Sequence, residues 1–181
     1  MFSYICEILT FKIFKFKVKG NFPINKKLIV LVFPHTSNWD FIIAIGVRKL
    51  LREEINFVIK KEYYNFLTTN FFNSLGGRPI DRSGKMNSVE KISQMFEDNE
   101  VFRIAIAPEG TRKLVSQWKT GFYHIALKTN CKILPVAFDW KKREVKIFNV
   151  FSATCNFEND LKLLKSLFKG VEGKIPENSK L

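Results

Sequence analysis

The stretch from Leu28 to Asp40 constrains this chain most. Six apolar residues, Leu28-Ile29-Val30-Leu31-Val32-Phe33, run unbroken to Pro34 and give way to His35-Thr36-Ser37-Asn38-Trp39-Asp40. A short, continuous, β-branched run reads as a buried strand. The next apolar run, Phe41 to Ile45 and on to Arg52, reads as a helix with Ser37 or Asn38 available as its cap. A histidine and an aspartate therefore fall at a strand-to-helix turn, on the edge where open α/β sheets bind ligands. Five helical steps would leave the two side chains roughly 140° apart, so they meet only if His35 lies in the turn and the helix begins after it. Met in that way, the carboxylate holds one ring nitrogen and leaves the other to take a proton. A capped helix with a surface histidine fits the same two residues taken alone.

The chain has 181 residues, 46% of them hydrophobic and 26% charged, which suits one domain with a good core. Its formal net charge of +13 points to an anionic partner, such as nucleic acid, an anionic bilayer or a phosphorylated substrate. A lysine-rich solvated surface accounts for the charge equally well. Cys6, Cys131 and Cys155 are odd in number and lack Cys-x-x-Cys spacing, which argues against a disulfide framework and fits a reducing compartment. With two histidines and no His or Cys cluster, no metal site is expected. No run of ~18 uncharged apolar residues marks a spanning helix. No helix-turn-helix, RNP or zinc-finger pattern supports nucleic-acid binding.

Strands alternating with helices predict an α/β fold: a single domain with a mainly parallel central sheet flanked by helices, preceded by an N-terminal amphipathic segment. The expected division is an interfacial segment over 1–20, an α/β domain over 21–168 and a polar C-terminal tail over 169–181. The first segment admits two readings. Its aromatic and aliphatic groups beside Lys12, Lys15, Lys17 and Lys19 suit a membrane interface. They also suit a core-packing helix followed by an alternating strand. Farther on, Asn56 to Ile59 reads as a strand and Tyr63 to Leu75 as a helix stopped by Gly76-Gly77. Arg78 to Arg82 reads as a short strand or extended loop, 85–99 as an amphipathic helix with core-facing Met86 and Met95, and Val101 to Ala107 as a strand. Phe122 to Lys128 reads as a helix. Lys132 to Phe138 reads as a strand whose Pro135 belongs at an edge or bend. Val145 to Val150 is its expected hairpin partner, Leu161 to Phe168 the last helix, and 170–181 a frayed end.

Three segments would then converge on one sheet edge: His35 to Asp40, Gly77 to Arg82, and Pro108 to Arg112. They supply a base with its carboxylate, two arginines whose forks match phosphate oxygens, a glutamate, and glycines that let a ligand approach the backbone. Such a set suits transfer of a group onto a hydroxyl of a phosphorylated acceptor. The chain resembles the lysophospholipid / 1-acyl-sn-glycerol-3-phosphate acyltransferase family, which carries four ordered motifs. His35, Ser37 and Asp40 match its His-x-Ser-x-x-Asp (the HX4D motif), with Pro34 in place of the usual Asn. Gly77, Asp81 and Arg82 match Gly-x-x-x-x-Arg, although Arg78 stands where an apolar residue is common. Pro108 to Arg112 match Phe-Pro-Glu-Gly-Thr-Arg, with Ala107 replacing Phe. Ile133-Leu134-Pro135-Val136 match the fourth, and Lys119 and Gly121 fit the Lys-x-Gly that follows the third.

The resemblance implies a membrane-associated acyltransferase of lipid metabolism and phospholipid biosynthesis. His35 would be the general base and Asp40 its partner, with no acyl-enzyme. Ser37, Gly77, Arg82, Glu109, Gly110, Thr111, Arg112 and Lys119 would bind substrate. No cofactor is implied beyond acyl-CoA or acyl-carrier protein as co-substrate. The partners would be the acyl donor thioester, a lysolipid acceptor and an anionic membrane surface, with the protein cytoplasmic and peripheral to the membrane. A hydroxylated amino-lipid acceptor, or a non-catalytic lipid-binding module, stands as the alternative. His124, inside an apolar helix pattern, and Trp39 read as structural residues.

Overall fold

A computed structural model describes residues 1–81 and 87–180. Among them seven strands form one sheet. Strand β1 covers Lys17–Lys19, β2 Lys27–Phe33, β3 Asn56–Lys60, β4 Gly77–Ile80, β5 Phe102–Ile106, β6 Lys132–Asp139 and β7 Glu144–Ile147. Their order across the sheet is β1-β7-β6-β2-β5-β3-β4. The apolar run of β2 lies at the centre, parallel to β5 on one side and β6 on the other. Strand β3 is parallel to both β5 and β4, β1 is parallel to β7, and β6 and β7 form an antiparallel hairpin. The fold is therefore α/β with a mainly parallel sheet, and the ends of β2, β4 and β5 share one edge.

The helices are α1 (Phe2–Ile8), α2 (Trp39–Leu51), α3 (Thr69–Ser74), α4 (Ser88–Asp98), α5 (Gly121–Thr129) and α6 (Phe157–Leu167). Alternation along β2 sends its side chains to two cores. Ile29, Leu31 and Phe33 pack with Phe96 of α4, Phe122 of α5 and Leu164 of α6. Leu28 and Val30 pack with Ile43 and Val47 of α2 and with Phe16 and Trp140. Helix α1 runs on through a π-helical turn, Leu9–Ile13, and lies against α2. Gly46 makes that approach possible, since a Cβ there would sit 2.8 Å from the Cys6 carbonyl oxygen. The N-terminal segment combines features of both readings. Cys6, Thr10 and Phe16 are buried, whereas Tyr4, Ile5, Ile8 and Ile13 face outward.

Three sequence expectations change. The helix anticipated over Tyr63 to Leu75 shrinks to a 3₁₀ turn, Lys61–Tyr63, and the six residues of α3. Asn65 explains this: its side-chain oxygen accepts from the Leu67 and Thr68 backbone N–H groups, and the Thr68 hydroxyl donates to the Tyr63 carbonyl. These local bonds compete with helix formation. Pro135 sits in an interior strand, not at an edge. It pairs with Leu31 of β2, and its carbonyl accepts from Phe148 on the other side, where β7 has ended. The N–H that proline lacks lies on that same side, opposite Phe148 and beyond the end of β7. The C-terminal segment is tied down. Glu172, Gly173, Ile175, Asn178 and Ser179 all hydrogen-bond, and Gly173 and Ser179 are buried. The amphipathic helix anticipated over 85–99 is seen as α4. Its first residues, Lys85 and Met86, lie outside the described residues.

Candidate active site

Strand β2 ends at Phe33, and the Phe33–Pro34 peptide bond is cis. The next five residues fold around a single carboxylate. Asp40, in the first turn of α2, is 1% exposed. Its Oδ2 accepts backbone N–H bonds from Thr36 and Ser37, each 2.8 Å. The same oxygen lies 3.3 Å from His35 Nδ1. Its Oδ1 accepts the Trp140 indole N–H at 2.7 Å. The carboxylate thus organises the turn as an N-terminal anchor of α2, where a negative charge also complements the helix dipole. His35 is 30% exposed. With Nδ1 turned toward Asp40, its Nε2 is the nitrogen open to a reactant.

The loop after β5 completes this edge. Glu109 is buried, and its Oε1 accepts the His35 backbone N–H at 2.8 Å, which ties the third motif to the first. Burial pushes the Glu109 carboxyl above its ordinary range, against the lowering effect of that hydrogen bond. Gly110 has φ +64°, and a Cβ there would stand 2.9 Å from Lys119 Nζ. Lys119 is in turn fixed by its backbone N–H, which donates to the Pro108 carbonyl at 2.7 Å. Arg112 is exposed at the rim, and its carbonyl accepts from Asn178. Thr111 is exposed, and its hydroxyl accepts from the Lys113 backbone.

A cavity of about 870 Å³ opens among these groups. His35, Gly110, Arg112 and Lys119 line its mouth, and Ala44, Val47, Phe57, Ile106 and Phe122 line its body. Its course follows from the sheet. Strands β3 and β5 pair over only two positions, Asn56 with Ile104 and Phe57 with Ala105, so the sheet parts beyond Phe57. The result is a predominantly apolar channel with a histidine and two cations at its entrance, a shape and polarity suited to an acyl chain carrying a polar head.

Most of the anticipated residues gather here: His35, Ser37, Asp40, Glu109, Gly110, Thr111, Arg112 and Lys119. Gly77 does not. It begins β4, opposite Phe57, at the end of the strand away from this edge, packed against Tyr64 and Phe72. Arg82 lies outside the described residues. His124 is exposed on α5. Sequence reasoning missed Trp140 and Thr36. Trp140 reaches Asp40 from 100 positions away, and its only sequence signal is its place just beyond the fourth motif.

The chain and its fold have counterparts among known proteins. The model of the Acyltransferase family matches residues 15–139. This chain belongs to the Acyltransferase family. It is an acyltransferase, and the matched segment carries His35, Asp40, Glu109 and Lys119. Among solved structures, the acyltransferase chain is similar to the 1-acyl-sn-glycerophosphate (LPA) acyltransferase PlsC from Thermotoga maritima. That likeness has a TM-score of 0.63 and 20% identity, and covers 93% of this chain and 78% of that one. At that identity it is a likeness of fold. A search of curated proteins gave no match.

Proposed function

We propose that this acyltransferase moves a fatty acyl group from an acyl-CoA or acyl-carrier-protein thioester to a hydroxyl of a lysophospholipid or glycerol-phosphate-type acceptor. The observation that carries the reading is the His35–Asp40 contact of 3.3 Å at the mouth of an apolar cavity. The acceptor hydroxyl gives its proton to His35 Nε2 as its oxygen attacks the thioester carbonyl carbon. Asp40 holds the ring orientation and stabilises the imidazolium that forms. The tetrahedral intermediate collapses, the carbon–sulfur bond breaks, and the imidazolium proton goes to the departing thiolate. Arg112 and Lys119 hold phosphate oxygens at the entrance. Arg82 is assigned to phosphate binding as well, solely on the strength of the motif it shares with the family. Glu109 acts on the base through the backbone of His35.

The protein works, on this reading, attached to a cytoplasmic membrane face. Exposed Tyr4, Ile5 and Ile8 of the first helix and Phe66, Leu67 and Phe71 around α3 offer apolar groups. Phe2 and Phe71 pack edge to face at 5.2 Å and join the two segments. Exposed Lys12, Lys15, Lys60 and Lys61 flank them. Such a surface suits an anionic lipid interface.

The test is thiol release from acyl-CoA and acyl-carrier protein with a panel of lysophospholipids and hydroxylated amino-lipids, comparing wild type with His35→Ala. Acceptor-dependent release is expected to fall by about 10²–10⁴ in the variant. Release that the substitution leaves unchanged would remove His35 from the reaction. No release with any pair, from folded protein that still binds anionic vesicles, would favour a lipid-binding module.

A further inference from the structure

The Asp40 carboxylate has one partner that the family motifs do not supply. The indole N–H of Trp140 donates to Oδ1 at 2.7 Å, and both side chains are buried. Trp140 lies one residue beyond the segment matched by the family, 15–139. It follows β6 directly and opens the turn into β7. Its ring is fixed on several sides. Phe16 packs edge to face at 5.0 Å and Phe14 at 5.6 Å. The Arg143 guanidinium lies 5.4 Å from the ring centroid and the Lys174 ammonium 4.8 Å. Its backbone N–H donates to the Glu172 carbonyl at 2.8 Å.

Glu172 and Lys174 belong to the C-terminal strap, residues 171–179, which crosses the back of the His35–Asp40 turn. The Ile175 backbone N–H donates to the Thr36 hydroxyl at 3.2 Å. Gly173 lies against Thr36 and Pro34, where a Cβ would meet the Pro34 ring at 3.2 Å. The strap thus packs on the same turn that presents His35 and also braces the indole that holds Asp40.

We infer that Trp140 is a positioning residue for the acyl-transfer step, holding Asp40 by Oδ1 so that Oδ2 faces His35. This rests on His35 and Asp40 acting as the base and its partner. The two carboxylate oxygens have different tasks. Oδ2 is engaged by two backbone N–H groups and the imidazole, and the indole holds Oδ1, so the carboxylate is fixed about its bond to the chain from both oxygens. An indole N–H is a donor only, and it adds to that hold without competing for the histidine. Removing it leaves a buried carboxylate oxygen without that donor and loosens the hold on the carboxylate, which the Thr36 and Ser37 N–H groups then keep from one oxygen only. A hydrogen bond to a charged group is among the stronger kinds in a protein. Its loss acts on the transition state, where the imidazolium must be stabilised, and leaves substrate binding alone.

The experiment compares wild type, Trp140→Phe, Asp40→Asn and the double variant by steady-state kinetics, with His35→Ala as reference. Trp140→Phe keeps an aromatic ring at the site while removing the N–H donor, and is expected to lower kcat about tenfold or more, with KM changed less than about twofold. In the Asp40→Asn background the same substitution should have little further effect, because the carboxylate it orients is gone. Unchanged kcat in folded Trp140→Phe, or a loss that simply adds to that of Asp40→Asn, overturns the inference and leaves the base assignment standing. Wild-type turnover in His35→Ala overturns the base assignment itself. The indole N–H resonances give a readout independent of activity and of whether Trp140→Phe folds. The chain has three tryptophans, and the Trp140 resonance should move upfield and exchange faster with solvent in Asp40→Asn. A resonance insensitive to that substitution overturns the inference as well.

Discussion

Gly110 shows how much one backbone conformation contributes here. Its φ of +64° lies in the left-handed region, and the space a Cβ would take is filled by the Cδ, Cε and Nζ of Lys119, at 2.8–2.9 Å. The glycine therefore both permits the turn after Glu109 and holds the lysine's position at the cavity mouth. Gly110→Ala is expected to cost about 1–2 kcal/mol in stability from the strained φ, read from denaturant melts. It should also push the Lys119 ammonium aside and raise KM for an anionic substrate several-fold. If Lys119→Ala alone raises KM, the double variant should add little to it. Full additivity would mean that Gly110 acts on something other than Lys119. The turn residues His35, Asp40 and Glu109 were legible in the sequence because they are local. Each follows an apolar run ended by a proline, and the helix geometry requires His35 to precede the helix. Trp140 was not legible, because nothing in a linear pattern pairs an indole with a carboxylate 100 residues earlier.

At the scale of elements, helices α5 and α6 are joined beneath the sheet by a buried polar network. The Tyr123 hydroxyl donates to Asp160 Oδ2 at 2.7 Å, and Thr154 donates to the same carboxylate through its backbone N–H at 2.7 Å and its hydroxyl at 2.8 Å. Burial pushes the Asp160 carboxyl up, but the three donors outweigh it and hold the group below its ordinary range. Burial and the adjacent Asp160 carboxylate together push Tyr123 up to about 12. The folded protein therefore keeps the phenol proton to a higher pH than the unfolded chain, which releases it near 10. The proton contributes stability that is fully present below about 10 and is lost as pH rises toward 12. Tyr123→Phe is expected to cost about 1–2 kcal/mol at pH 8. The stability gap to wild type should narrow between pH 10 and pH 12, because the variant has no phenol to titrate. A gap that stays constant in urea melts at pH 8 and pH 11 would sink the account. Such a network lies outside sequence reasoning for the same reason as Trp140. The helices it joins were legible: α5 from the apolar pattern over Phe122 to Leu127, and α6 from Leu161, Leu164 and Phe168 at helical spacing; the β6–β7 hairpin was legible from alternation. The helix expected over Tyr63 to Leu75 failed because side-chain bonds from Asn65 and Thr68 to the backbone override the propensity of the residues around them.

For the whole molecule, the apolar groups on the outside pose the question that the cores do not. Among the described residues no helix is long and apolar enough to cross a membrane. Yet Phe66 is 95% exposed and Leu67 82% exposed, at the tip of the connection between β3 and α3. In water two such side chains contribute nothing to folding. Inserted among acyl chains, each gains about 1.5–3 kcal/mol. The net charge of +13 adds long-range attraction to anionic lipid, about 1 kcal/mol for each lysine brought close to the surface. These two contributions separate by experiment. Phe66→Ser with Leu67→Ser is expected to lower partition onto anionic vesicles at least tenfold, and to leave the melting temperature nearly unchanged, since neither side chain is buried. Raising the ionic strength should weaken binding of wild type and variant alike, because screening acts on the lysines and not on the apolar contacts. Sedimentation with phosphatidylglycerol vesicles at two salt concentrations measures both. If the double variant binds as tightly as wild type while salt still abolishes binding, the attachment is electrostatic only, and Phe66 and Leu67 do not enter the bilayer.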